Sequence, residues 1–166
     1  MALRYPAESV DEVRLHHVFE HFTRSASCAL LASWNSWLKP DGILHIEVPD
    51  FERTARAVVS RLSNEKARYV GLRHIFGSQE AHWAVHYEGH SKTSLRRLIG
   101  SFGFEPVGTK QERYKDTYNL TVIAKRSRSL TIAQAEQVAL DHLRRFIVDD
   151  GPSENVLLRH WMDDFK

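Results

Sequence analysis

One cysteine, Cys28, is all this chain of 166 residues contains, which excludes an internal disulfide and a zinc cluster built on cysteine. A reducing setting fits that usage. No apolar run approaches the roughly 18 to 20 residues needed to span a bilayer, and Met1 to Pro6 lack the apolar stretch of a signal peptide, so a soluble, cytoplasmic protein without a membrane partner is expected. Charge of one sign is lacking as well. The 23 basic and 21 acidic side chains nearly balance, and apart from Lys125-Arg126-Ser127-Arg128 the basic residues are scattered, so nothing calls for nucleic acid. Glycines number eight and include no Gly-x-Gly pair, which excludes the familiar loop that lets a backbone approach a nucleotide closely.

What is present reads as one α/β domain, long enough to bury roughly 70% of the unfolded surface. Val13, Leu15 and His17 alternate with Arg14 and His16, the period of a short strand. Thr23 can cap a helix whose Leu30, Leu31, Trp34, Trp37 and Leu38 recur at spacings of three and four until Lys39-Pro40. Asp41-Gly42 supplies a turn, and Ile43 to Val48 form a β-branched, apolar strand that Pro49 stops. These segments make a strand-helix-strand unit of a parallel sheet, in which function sits at the carboxyl ends of the strands.

Residues 51–70 read as one helix with Phe51, Ala55, Val58, Val59 and Leu62 on a single face, whereas 71–90 show little periodicity and read as a long irregular segment. Ser91 or Thr93 can cap a helix through Leu95, Leu98, Ile99 and Phe102 that Gly103 ends. Strands at about 105–113 and 118–125, joined through Tyr114 to Thr117, suit an antiparallel hairpin. Thr131 and Gln134 form a capping box for a helix to about Val148, Asp149 to Pro152 break it, and a last helix runs from Ser153 to Phe165. The division expected is 1–128 for the α/β domain and 129–166 for a helical tail.

This order resembles the carboxyl-terminal half of class I S-adenosylmethionine-dependent methyltransferases of the type 11 kind, and the resemblance covers residues 3 to about 126. Leu3-Arg-Tyr-Pro-Ala-Glu-Ser-Val-Asp-Glu-Val13 looks like the stretch entering that family's fourth strand, and His17-Val-Phe-Glu-His-Phe22 like the loop leaving it. Trp37-Leu-Lys-Pro-Asp-Gly42 looks like the helix end before the fifth strand, and Leu98-Ile-Gly-Ser-Phe-Gly-Phe104 like the final helix entering the terminal hairpin. The resemblance implies a partial Rossmann-like sheet, with equivalents of strands 4, 5, 7 and 6 in that spatial order, a carboxyl-terminal antiparallel hairpin and a helical tail. It also implies that the glycine-rich loop and acidic ribose contact of the amino-terminal half are missing, so the chain alone would bind S-adenosylmethionine weakly or not at all.

The resemblance places His16 and His17 toward the cofactor and the reacting centre. His17, Glu20 and His21 are the candidate acid-base group, since an imidazole titrates near neutral pH and a carboxylate can orient it; their alternative role is to cap and hold the loop. His74, Trp83, His86, Tyr87 and His90, between the fifth strand and the last helix, are the candidates for substrate binding. His82, His86 and His90 recur every four residues, but Gly89 argues against a continuous helix and no familiar zinc signature occurs. Two imidazoles with Glu80 or Glu88 can still hold zinc, yet no metal ligand set is assigned. Trp34 and Trp37 read as core, Cys28 as inert packing and Asp50 as an N-cap.

The function expected is methyl transfer to an unknown acceptor, by a methyltransferase or a truncated part of one. A non-catalytic interaction module derived from the half-fold is the rival, and a metal-dependent hydrolase on the histidine-rich loop a third reading. The strand near 12–18 would lack a neighbour and lie beside apolar surface that helices normally cover. A homodimer through that edge, or a separately supplied amino-terminal half, is therefore the expected partner.

Overall fold

A computed structural model describes residues 5–166; Leu3 and Arg4 of the resemblance, like the rest of residues 1–4, lie outside the described residues. Four strands form a sheet in the order β1 (Val10–His16), β2 (Leu38–Pro49), β4 (Thr117–Arg126), β3 (Phe104–Tyr114). β1 and β2 are parallel, whereas β4 runs antiparallel to both β2 and β3. This is the strand order expected, hairpin included. The helix joining β1 to β2 is α1 (Arg24–Trp37), whose N-cap Thr23 accepts from the Ala26 amide. Ser91 rather than Thr93 caps α4 (Lys92–Ser101), in a reciprocal box with Ser94.

Alternation along the strands sorts the sheet into two faces. Val13 and Leu15 stand beside Leu44 and Ile46, which pair with Ala124 and Val122, while Val48 pairs with Leu120. This row packs under Leu31 and Trp34 of α1 and Leu95, Leu98 and Ile99 of α4 in one core. Each fully buried aliphatic side chain there contributes roughly 1.5–3 kcal/mol relative to exposure. The other face presents Arg14 beside His45, His16 beside Glu47, and Thr121 beside Lys110, with Ile123 among them. It forms a shallow groove of about 290 Å³ to which no helix contributes a lining residue. The apolar surface expected there is absent, because the outward positions of these strands are mostly polar.

Three local expectations are corrected. Residues 51–70 form not one helix but α2 (Phe51–Val59) and part of α3 (Glu65–Phe76). Ser60 accepts from the Leu62 amide and Asn64 from the Ala67 amide, and such side chains compete with helical backbone bonds. Leu62, assigned to the buried face, is 97% exposed. The irregular segment accordingly starts at Gly77, not Gly71, where a Cβ would come within 2.5 Å of Val58 and force α2 and α3 apart. β2 absorbs the expected turn at 39–42 as a bulge between the Val10–Leu38 and Glu12–Ile43 pairs. Tyr114 pairs with Thr117, leaving the two-residue turn Lys115-Asp116, with Lys115 at φ 53°.

The tail, α5 (Ile132–Leu143) and α6 (Pro152–Phe165), packs on α1 and shares its core through Val138, Ala139, Met162 and Phe165. Asn35 of α1 fastens the link to it. Its Nδ2 donates to the carbonyls of Phe102 at 2.9 Å and Arg128 at 2.8 Å, and its Oδ1 accepts from the Leu130 amide at 2.9 Å. At 1% exposure no water can replace these bonds. Asn35→Leu is expected to lower unfolding free energy by roughly 2–4 kcal/mol through stranded backbone groups, measured by urea denaturation.

His142 in α5 generates an acid-side expectation. Burial first, then Arg145 and Arg24, lower its pKa from 6.5 to about 4, so the unfolded chain takes up this proton before the folded one does. Its contribution is present above pH 6.5 and is lost as pH falls through about 4. Melting temperatures across that window should decline less steeply for His142→Gln than for the parent.

Candidate functional site

The carboxyl ends of β1 and β2 meet a turn, a helix end and a loop rich in imidazoles. β1 leads into His17, whose amide continues the ladder to the Glu47 carbonyl at 2.9 Å while its own φ of 52° turns the chain away. That left-handed conformation is uncommon outside glycine but enriched in His, Asn and Asp. A 3-10 turn over Phe19–His21 follows, with Phe19 fully buried and Glu20 only 1% exposed.

Glu20 ties together segments far apart in sequence. Its carbonyl accepts from the amides of Tyr87 at 2.9 Å and Glu88 at 3.3 Å. Its carboxylate Oε1 lies 3.3 Å from His17 Nδ1 and 3.9 Å from His86 Nε2. Oε2 is buried without a hydrogen-bond partner. On the other side of His17, Nε2 lies 3.4 Å from Glu47 Oε1, which also receives His16 Nε2 at 3.2 Å.

The imidazoles fall into two electrostatic kinds. His17 stands between two carboxylates; its bond to Glu20, together with the fields of Glu20 and Glu47, raises its pKa against the opposing effect of burial. It is a charge-stabilised link. In His86 burial outweighs Glu20 and lowers the pKa, and burial does the same for His74. The tautomers follow from the partners, since a carbonyl only accepts. His21 Nδ1–H donates to Val85 O at 2.9 Å, His86 Nδ1–H to His74 O at 3.1 Å, and His74 Nε2–H to Tyr118 O at 2.9 Å. In this tautomer the Nε2 of each of His21 and His86 is left without a ring proton whenever the ring is neutral.

Beside this network opens a cleft of about 390 Å³, lined among others by His17, Glu20, His21, His74, Trp83 and His86. Beside Glu80, weighed only for zinc, six of the nine candidate catalytic, cofactor-binding and substrate-binding residues thus come together there. The other three do not line it: His16 extends into solvent on the open sheet face, with its side chain 70% exposed; Tyr87 points outward; and His90 is buried, its ring 5.3 Å from that of Phe19. Burial lowers the His90 pKa to about 4. His82 does not join His86 and His90 on a helical face, because α3 ends at Phe76 and the three lie beyond it. Asp50 caps α2 through the Arg53 amide and receives Gln111 Nε2 at 2.6 Å. Buried Cys28 has its thiol pKa pushed up to about 12 by desolvation. Glu47 went unrecognised in sequence because it sits inside an apolar strand; its outward phase between Ile46 and Val48 was the available signal.

No family model matches the chain, and no curated protein matches it. Solved structures do. The chain is similar to the 1,6-didemethyltoxoflavin-N1-methyltransferase of Burkholderia thailandensis, solved with S-adenosylhomocysteine, at 17% identity and a TM-score of 0.52, over 74% of this chain and 46% of that one. For the magnesium protoporphyrin IX methyltransferase of Synechocystis PCC 6803 the identity is 16% and the TM-score 0.50, over 76% and 49%. The chain therefore spans less than half the length of these structures, and the likeness establishes a methyltransferase fold.

Gly77, which ends α3, fixes how the loop returns to the cleft. Its φ is 85° and an added Cβ would meet the Ala84 carbonyl oxygen at 2.4 Å. Gly77→Ala should release residues 78–88, seen as faster chymotryptic cleavage after Trp83 and Tyr87 than in the parent.

Proposed function

We propose that this chain supplies the acceptor side of an S-adenosylmethionine-dependent methyltransferase whose cofactor-binding side comes from other polypeptide. The observation that carries this reading is the cleft at the carboxyl ends of β1 and β2, on a sheet of methyltransferase fold, lined by His21 and His86, whose Nδ1–H groups are spent on backbone carbonyls so that each neutral ring keeps an unprotonated Nε2. Such nitrogens can accept a hydrogen bond, and then a proton, from an acceptor hydroxyl or amine. The Glu20 carbonyl, by accepting from the Tyr87 and Glu88 amides, holds the loop that carries His86 beside His21.

The chain does not by itself fit the cofactor. It has no Gly-x-Gly turn, and the carboxylates nearest the strand ends are engaged rather than free to receive ribose hydroxyls, Glu20 and Glu47 by imidazoles and buried Asp50 by the Arg53 amide and Gln111. Among the described residues β1 pairs only with β2, so a completing strand, from an amino-terminal half or a second copy, can add to its other edge. Because the open sheet face is polar, such pairing would draw on backbone hydrogen bonds more than on apolar burial. That same face favours the rival reading, an interaction module without catalysis, since it can remain in water uncovered.

Calorimetry of the isolated chain with S-adenosylmethionine should show binding at least about a thousandfold weaker than that of a complete enzyme, as expected for losing about 4 kcal/mol of contacts. Micromolar one-to-one binding would overturn the incomplete site. In an assembly completed by an amino-terminal half, His17→Ala and His21→Ala should lower turnover far more than melting temperature; matched losses would assign these residues to loop architecture.

A further inference from the structure

Among the described residues, the Oε2 atom of Glu20 is a carboxylate oxygen buried without a hydrogen-bond partner, in a residue 1% exposed. A buried carboxylate oxygen left bare is destabilising unless a proton or cation meets it. No ring N–H is available from the imidazoles on that side. His21 and His86 each spend their Nδ1–H on a backbone carbonyl, at 2.9 and 3.1 Å, and point the remaining lone pair elsewhere. Donation of one ring N–H to a carbonyl is also the arrangement that fixes the orientation of metal-bound histidine.

A ligand atom from each of Glu20, His21 and His86 lies within 4.8 Å of those of the other two. The rings of His21 and His86 meet edge to face with centroids 4.7 Å apart. We infer that Glu20, His21 and His86 form a site for one divalent metal ion of the zinc type, held by two imidazole nitrogens and a carboxylate and open toward the cleft. Two His and one Glu with a free fourth position is an established zinc coordination set. The loop supplies only one of the three, so sequence spacing cannot reveal it.

A second trio, His16, His17 and Glu47, also gathers three ligand atoms within 4.8 Å, but it differs in kind. There Glu47 Oε1 already faces both imidazoles, His16 lies in solvent, and no buried oxygen is stranded. It provides the internal control. The inference goes beyond methyl transfer: an ion here would take up the free ring nitrogens of His21 and His86, which while it is bound could not accept a proton from an acceptor, and would fasten the loop to the end of β1 and offer a coordination position to any polar ligand in the cleft.

The test uses the full chain freed of metal by a chelator and titrated with Zn²⁺ by calorimetry, without cofactor or acceptor. One ion per chain is expected, with a rise in melting temperature. His86→Gln should weaken binding by at least about 100-fold, exceeding what loss of an outer-shell partner does, while His16→Gln should leave it unchanged. Glu20→Gln should abolish binding if its circular dichroism remains that of the parent; His86→Gln, at a partly exposed position, keeps the test valid if it does not. Absence of stoichiometric Zn²⁺, binding indifferent to His86→Gln, or binding lost in His16→Gln would each overturn the site. Failure of the metal site would leave methyl transfer standing, because the readout is metal binding alone, and failure of cofactor binding would leave the metal site standing.

Discussion

A carboxylate that water cannot reach governs this structure. Glu20 follows a strand end, yet its side chain is turned into the protein, where an uncompensated charge would be strongly destabilising. The surrounding architecture answers that constraint. His17 adopts a left-handed backbone to bring its ring alongside, the loop after α3 returns to place His86 nearby, and the Glu20 carbonyl receives two amides of that loop. Loop path, imidazole tautomers and cleft walls are therefore aspects of one electrostatic arrangement, and a functional group in the cleft inherits its geometry.

The sheet contributes rigidity to one side of that arrangement and chemical neutrality to the other. Under α1 and α4 its face is aliphatic and fully buried, so the strand ends that carry His17 and Glu47 are held by a packed core. The opposite face is a polar groove that can be solvated as it stands. A free β1 edge beside a polar face distinguishes two ways of completing the sheet: backbone pairing is available, whereas broad hydrophobic docking is not. The proposed completion into a methyltransferase depends on the first.

The sequence alone determined the elements whose cause is local. Side-chain periodicity located α1, β2 and the hairpin, and capping chemistry located the starts of α4 and α5, because each depends on contacts within a few residues. The strand order was legible through family wording and proved right. Where local polar groups competed with a continuous helix, at Ser60 and Asn64, the longer pattern misled, since periodicity counts apolar positions and not alternative backbone partners. The site was legible as a set of imidazoles but not as an arrangement. Only the tertiary structure decided that the outward sheet face is a groove, that His86 approaches Glu20 while His90 is buried against Phe19, and that Glu47 shares His17, the last three because they depend on residues that meet from 30 to 71 positions apart.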